Sequence, residues 1–123
     1  VALSSPRFAR DPDVKRAADN NPPIRVGARG VAVEILQRAL KDLGFSMPHS
    51  TKPTGFPDGI FGAETEATVK AFQRANNLAV DGIVGRNTLA RLDEIFTARE
   101  AREAQERLVA VNAPFPAGKA FFT

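Results

Sequence analysis

Apolar residues return at helical spacing in three stretches of the chain, and turns separate them. In "VGARGVAVEILQRALKDLGF" Val33, Leu36, Leu40 and Leu43 share one face of a 3.6-residue period, with Ile35 and Ala39 widening the stripe. Gly44 sits where a C-cap glycine belongs. In "AETEATVKAFQRANNL" the expected buried face is Ala67 or Thr68 with Ala71, Phe72 and Ala75, and Val69 beside them. Glu64 and Glu66 suit the positive end of that helix, and Asn76-Asn77 suit its left-handed end. In "RNTLARLDEIF" Leu89, Leu92 and Phe96 form the inner face, with Ile95 next to Leu92.

The third helix carries no stop after Phe96. Strong helix formers continue to about Val111, with Arg99–Glu103, Arg102–Glu106 and Glu103–Arg107 at interacting spacing. Ala101, Ala104 and Leu108 leave a narrow stripe of small residues. The fold class is therefore all-α: a compact three-helix bundle with an extended third helix and an N-terminal arm. The division expected is an arm over 1–23, a helical domain over 24–96, and a helix extension and tail over 97–123. The arm holds a short helix near Asp13–Ala18, with Pro12 at its first turn, and "NNPP" breaks it. It lies either on the domain or on something else. Ser46–Pro57 carries three prolines and reads as a long loop, functional or mobile, with His49 solvated in it.

A repeat lies between the helices. Asp58–Val69 and Asp81–Leu92, 23 positions apart, share Asp, Gly, Ile, Gly, Thr and Ala in twelve positions, and Phe61 matches Val84 in character. Each element has a structural use. Asp58-Gly59 and Asp81-Gly82 make tight turns, because Asp bonds the backbone two residues on and Gly accepts positive φ. Ile60 and Ile83 are expected to point inward and anchor the turn. Gly62 and Gly85 permit a second bend or a close approach. Thr65 and Thr88 bond back to the loop or cap the helix. The architecture thus contains two loop-turn-helix units.

The same parts make anion sites, since glycines and helix N-termini present free N–H groups. The mainly structural role is the favoured reading. If the motif also binds, Asp81, Gly82, Ile83, Gly85, Arg86, Asn87 and Thr88 are the better site, because Arg86 and Asn87 assist an anion. Asp58, Gly59, Phe61, Gly62 and Thr65 form the other, where Glu64 and Glu66 repel one.

Composition narrows the chemistry. The 123 residues suit one domain, and no apolar run is long enough to span a bilayer. No signal peptide is read in "VALSSPRFAR". There is no Cys and one His, so thiolate, His-cluster and HExxH metal sites are excluded, and no cofactor is expected. No catalytic set emerges: Glu64 and Glu66, two apart on a helix, face different ways. The chain reads as a non-enzyme. Net charge +3 mildly favours anionic partners. Nucleic acid ranks last, because Arg86, Asn87 and Arg91 stand beside Asp93 and Glu94.

"GARGVAVEILQRALKDLGF", "DGIFGAETEATVKAFQ" and "DGIVGRNTLARL" together resemble the peptidoglycan-binding domain of the PGRP-binding type, a small three-helix cell-wall module. The resemblance rests on Gly27, Gly30, Val33, Leu36-Gln37, Leu43-Gly44, Asp58 to Thr65, Phe72-Gln73 and Asp81 to Thr88, and covers about Ile24–Phe96. The long loop, Asn77 where the family has Gly, and the extended third helix depart from it. The resemblance implies binding of peptidoglycan stem peptide or glycan near the turns and helix starts, in the cell envelope, periplasmic or secreted. Gln37 and Gln73 are expected to satisfy loop backbone groups ahead of touching ligand. The alternative is a structural or interaction protein in a secreted or phage-like assembly, with a protein partner on the arm, the long helix and the tail with Phe121-Phe122.

Overall fold

The computed structural model describes residues 2–112, with side chains as far as Arg107. Among the described residues it is helical: α1 (Pro6–Ala9), α2 (Pro12–Ala17), α3 (Val31–Asp42), a short 3-10 turn (Pro48–Ser50), α4 (Ala63–Ala75) and α5 (Arg86–Asn112). The three long helices are those that the hydrophobic period predicts. Leu108 as a side chain and the tail with Phe121-Phe122 lie outside the described residues.

Local chemistry sets the helix ends. Asp11 caps α2 by accepting the N–H groups of Asp13 and Val14, both at 3.0 Å. After α3, the Phe45 N–H reaches the Leu40 carbonyl at 3.0 Å and the Gly44 N–H reaches Lys41 at 2.9 Å. This paired closure satisfies carbonyls that the helix end leaves free. Asn77, at φ 59°, closes α4 in the same way, with the Leu78 N–H on the Gln73 carbonyl at 2.8 Å.

The core joins Val33, Leu36 and Leu40 of α3, Val69 and Phe72 of α4, and Leu89, Leu92 and Phe96 of α5. The face of α4 matches expectation at Thr68, Val69 and Phe72 and departs from it at Thr65, Ala67, Gln73 and Ala75. Thr65, Thr68, Val69, Phe72 and Gln73 are buried, whereas Ala67 and Ala75 are exposed. The helix is rotated so that Gln73, as well as Phe72, points inward.

The arm lies on its own domain. Phe8, Val14, Ala17 and Ala18 are fully buried, and the Phe8 ring meets Phe96 edge-on at 5.7 Å. Burying Phe8 or Val14 stabilises this contact by roughly 2 kcal/mol each. The buried Asp93 carboxylate accepts the N–H groups of Ser4 and Ser5 at 2.8–3.0 Å, fastening the start of α1 to α5. Ser5 Oγ donates to Glu100 at 2.7 Å, and the Arg7 guanidinium sits 4.2 Å over the Phe96 ring while pairing with Asp42. By contrast, residues 101–107 of α5 are all exposed.

The long loop is folded into a tight hairpin. Lys52 donates its N–H to the Phe56 carbonyl at 2.7 Å, and Lys41 Nζ donates to the Gly55 carbonyl at 3.0 Å. The Glu64 carboxylate accepts the N–H groups of Ser50 at 2.7 Å and His49 at 3.2 Å, tying the loop to the first turn of α4. Met47 and Pro57 are buried and His49 is exposed.

Candidate functional site

One extended segment, residues 24–30, holds both repeated turns. Ile24 and Val84 exchange both backbone hydrogen bonds, at 2.9 and 2.7 Å. Gly27 donates to the Phe61 carbonyl at 3.0 Å, the Phe61 N–H reaches Ala28 at 2.9 Å, and Gly30 donates to the Gly59 carbonyl at 2.9 Å.

Inside each turn stands a buried glutamine. Gln37 Oε1 accepts the Gly59 N–H at 2.9 Å, and its Nε2 lies 3.0–3.1 Å from Asp58 Oδ1, the Ile60 carbonyl and Thr65 Oγ1. Gln73 repeats the set: Oε1 accepts from Gly82 at 2.9 Å and Asp81 at 3.1 Å, while Nε2 reaches Asp81 Oδ1, the Ile83 carbonyl and Thr88 Oγ1. Both glutamines are 1% exposed, so they serve loop backbone groups, as the sequence suggests. Gly59 and Gly82 both sit at φ 73°, a conformation that a side chain makes costly.

The isoleucines do not anchor the turns. Ile60 is 42% exposed and Ile83 is half-buried; Phe61 and Val84, each 1% exposed, take the inner place. The reason is local. Asp58 Oδ1 and Asp81 Oδ1 each hold an isoleucine N–H at 2.9 Å, and a glutamine takes the isoleucine carbonyl. The following residue pairs with the 24–28 backbone, and extended chain alternates its faces. The matching apolar pair Phe61 and Val84 was the signal for this in the sequence.

The two copies differ at the helix start. At the second, Asn20 of the arm brings Oδ1 to 2.9 Å from the Arg86 N–H and caps α5. A Cβ on Gly85 would stand 2.3 Å from that oxygen, so glycine here admits the arm. At the first copy, a Cβ on Gly62 would meet nothing within 4 Å.

Beside the second turn is a cavity of about 170 Å³. Asn20 and Pro23 wall it from the arm, Leu78 and Ala79 from the end of α4, Asp81 and Ile83 from the turn, and Gly85, Arg86 and Asn87 from the start of α5. It offers a guanidinium, a carboxylate and two amide side chains over a small apolar lining. Among the described residues, no group of His, Cys, Asp or Glu is placed to hold a metal ion, and no helix is long and apolar enough to cross a membrane.

Residues 29–92 match the family profile described as "Putative peptidoglycan binding domain". The chain belongs to this peptidoglycan-binding domain family. The domain is 43% identical over 63 residues to the N-acetylmuramoyl-L-alanine amidase CwlM of Mycobacterium tuberculosis, covering 51% of this chain and 14% of that one. It is 39% identical over 68 residues to the N-acetylmuramoyl-L-alanine amidase CwlL of Bacillus licheniformis, covering 55% and 19%. The chain thus spans less than a fifth of these two relatives. In structure it is similar to the SleB N-terminal domain, with TM-score 0.51 and 36% identity, covering 62% of this chain and 94% of that one.

Of the motif residues in this peptidoglycan-binding domain, Asp81, Ile83, Gly85, Arg86 and Asn87 meet at one cavity. Gly82 and Thr88 are buried behind it and shape the turn. In the first copy Gly59, Phe61 and Thr65 are buried, Asp58 is bonded within its turn, and Gly62 lies at the surface edge. Asn20 and Pro23 were not anticipated. They lie more than 60 residues before the helix they approach, and no local pattern marks them.

Proposed function

We propose that this chain is a non-catalytic peptidoglycan-binding module that holds an associated activity at the bacterial cell wall, in the envelope, periplasmic or secreted. The family match across residues 29–92 carries this reading. The ligand is a stem peptide or glycan segment, taken in the cavity at the second turn. Arg86 receives a carboxylate and Asn87 an amide of the stem peptide, while Asp81 and Ile83 border the ligand. Gly82 and Thr88, with the first-copy residues Asp58, Gly59, Phe61, Gly62 and Thr65, hold the turns that frame it. The Arg86 N–H is already taken by Asn20, so its side chain, ahead of the helix amides, is the anion-binding group.

Retention on purified, protein-free peptidoglycan tests this. The chain is expected to stay bound at moderate salt, and Arg86→Gln with Asn87→Ala to lose several-fold in retention. Complete release of the parent chain at moderate salt would reduce the interaction to charge attraction and end the proposal.

A second reading, an interaction protein with a protein partner on the extended helix, is favoured by the full exposure of residues 101–107. Light scattering on the full chain and on one ending at Phe96 tests self-association. Identical monomers would remove the helix as a self-association element.

A further inference from the structure

We infer a second small-ligand site, separate from the Arg86 cavity: a pocket between the arm and α3 that takes a short aliphatic monocarboxylate, free or as the C-terminal residue of a peptide. The pocket encloses about 160 Å³. Its floor is apolar, made by Ile24, Ala28, Ala32 and Val33. Its rim carries Arg16 and Arg29, with Asp13, and Pro22 and Pro23 close one side. Pro23 also lines the Arg86 cavity, so one residue stands between the two.

The chemistry of the rim selects the ligand. Arg16 pairs with Asp13 three residues away, and both are exposed. Such a pair contributes little and opens readily. Arg29 has no ion-pair partner among the described residues, so the rim holds one unbalanced positive charge above an apolar floor. A guanidinium fork matches a carboxylate in two-point geometry. The floor of Ala, Val and Ile offers methyl contacts that suit an aliphatic side chain. Pockets for drug-sized ligands begin near roughly 300 Å³, so this one admits a group of two to four carbons with its carboxylate. Affinity for such a fragment is on the order of millimolar. The arm supplies four of the nine lining residues, and the family match begins only at residue 29, so the site depends on residues outside the matched region.

Amide and methyl NMR on the full chain tests this, with propionate as the free acid, N-acetylalanine as the chain-end mimic and propionamide as the neutral control. Saturable shifts at Ala28, Ala32 and Val33 are expected with both acids and not with propionamide, and the tighter acid names the source. Arg29→Gln, an exposed substitution that leaves the fold intact, should weaken the acids about tenfold. Ala32→Leu, which fills the floor, should abolish the shifts. Arg86→Gln should leave them unchanged, which separates this site from the peptidoglycan reading. Absence of saturation, equal shifts with propionamide, or an Arg29→Gln titration like that of the parent chain would each overturn the assignment.

Discussion

Asn20 Oδ1 and the Arg86 N–H meet at 2.9 Å, across 66 residues of chain. The arm thereby supplies the cap that the second repeat does not carry itself. Asn20 adopts φ 58°, a conformation that glycine also accepts. Asn20→Gly should therefore keep the backbone and lose only the cap, costing about 1 kcal/mol. Denaturant midpoints measure the loss, and faster hydrogen exchange at the Arg86 amide locates it.

The two helix-start glycines should respond unequally. Gly85→Ala drives a methyl into Asn20, at 2.3 Å before relaxation, and is expected to cost about 1–3 kcal/mol and loosen the arm. Gly62→Ala meets open space at φ −106°, and should stay within about 0.5 kcal/mol of the parent chain. Equal effects in thermal unfolding would contradict the asymmetry of the repeats.

Gln73→Glu replaces a buried donor with a carboxylate facing Asp81 Oδ1 and the Ile83 carbonyl. Burial and like charge raise the folded-state pKa of the new group above its unfolded value of about 4.3. The penalty is then complete above the folded pKa and fades as pH falls toward the unfolded one. The variant should be well below the parent chain in stability at pH 7 and recover toward it near pH 4, as read by urea unfolding at both values.

Adjacent residues of the first turn should differ sharply. Phe61→Ala empties a core position and should cost about 3–5 kcal/mol. Ile60→Ser alters a side chain that is 42% exposed and should cost under about 1 kcal/mol. Reversed magnitudes in chemical denaturation would restore the inward isoleucine.

The long helices and the glycine and asparagine closures are legible in sequence because each depends on neighbours within a few turns of chain, and the service of Gln37 and Gln73 to the turns is legible because each glutamine follows an apolar core residue. The inward place of Phe61 and Val84 is marked in sequence only by their matching apolar character, since it is fixed by pairing with residues 24–28. The rotated face of α4 follows from the reach of Gln73 to the second turn, which a count of apolar residues does not weigh. What the arm packs against stays open in the sequence, because its partners are distant in the chain. Phe8 and Val14 find their partners only when α5 lies beside them, and Asp93 looks like a surface acid until Ser4 and Ser5 arrive at it.

α5 starts at the wall of the Arg86 cavity and runs unbroken for 27 residues, roughly 40 Å at the ordinary helical rise. Its first half is bolted to the bundle and residues 101–107 stand clear. A pull or twist at the far end therefore reaches the bundle through the contacts that fasten the first half. Tension along that helix would be felt first at Glu100, Phe96 and Asp93, where Ser5 and Phe8 of the arm are fastened to it.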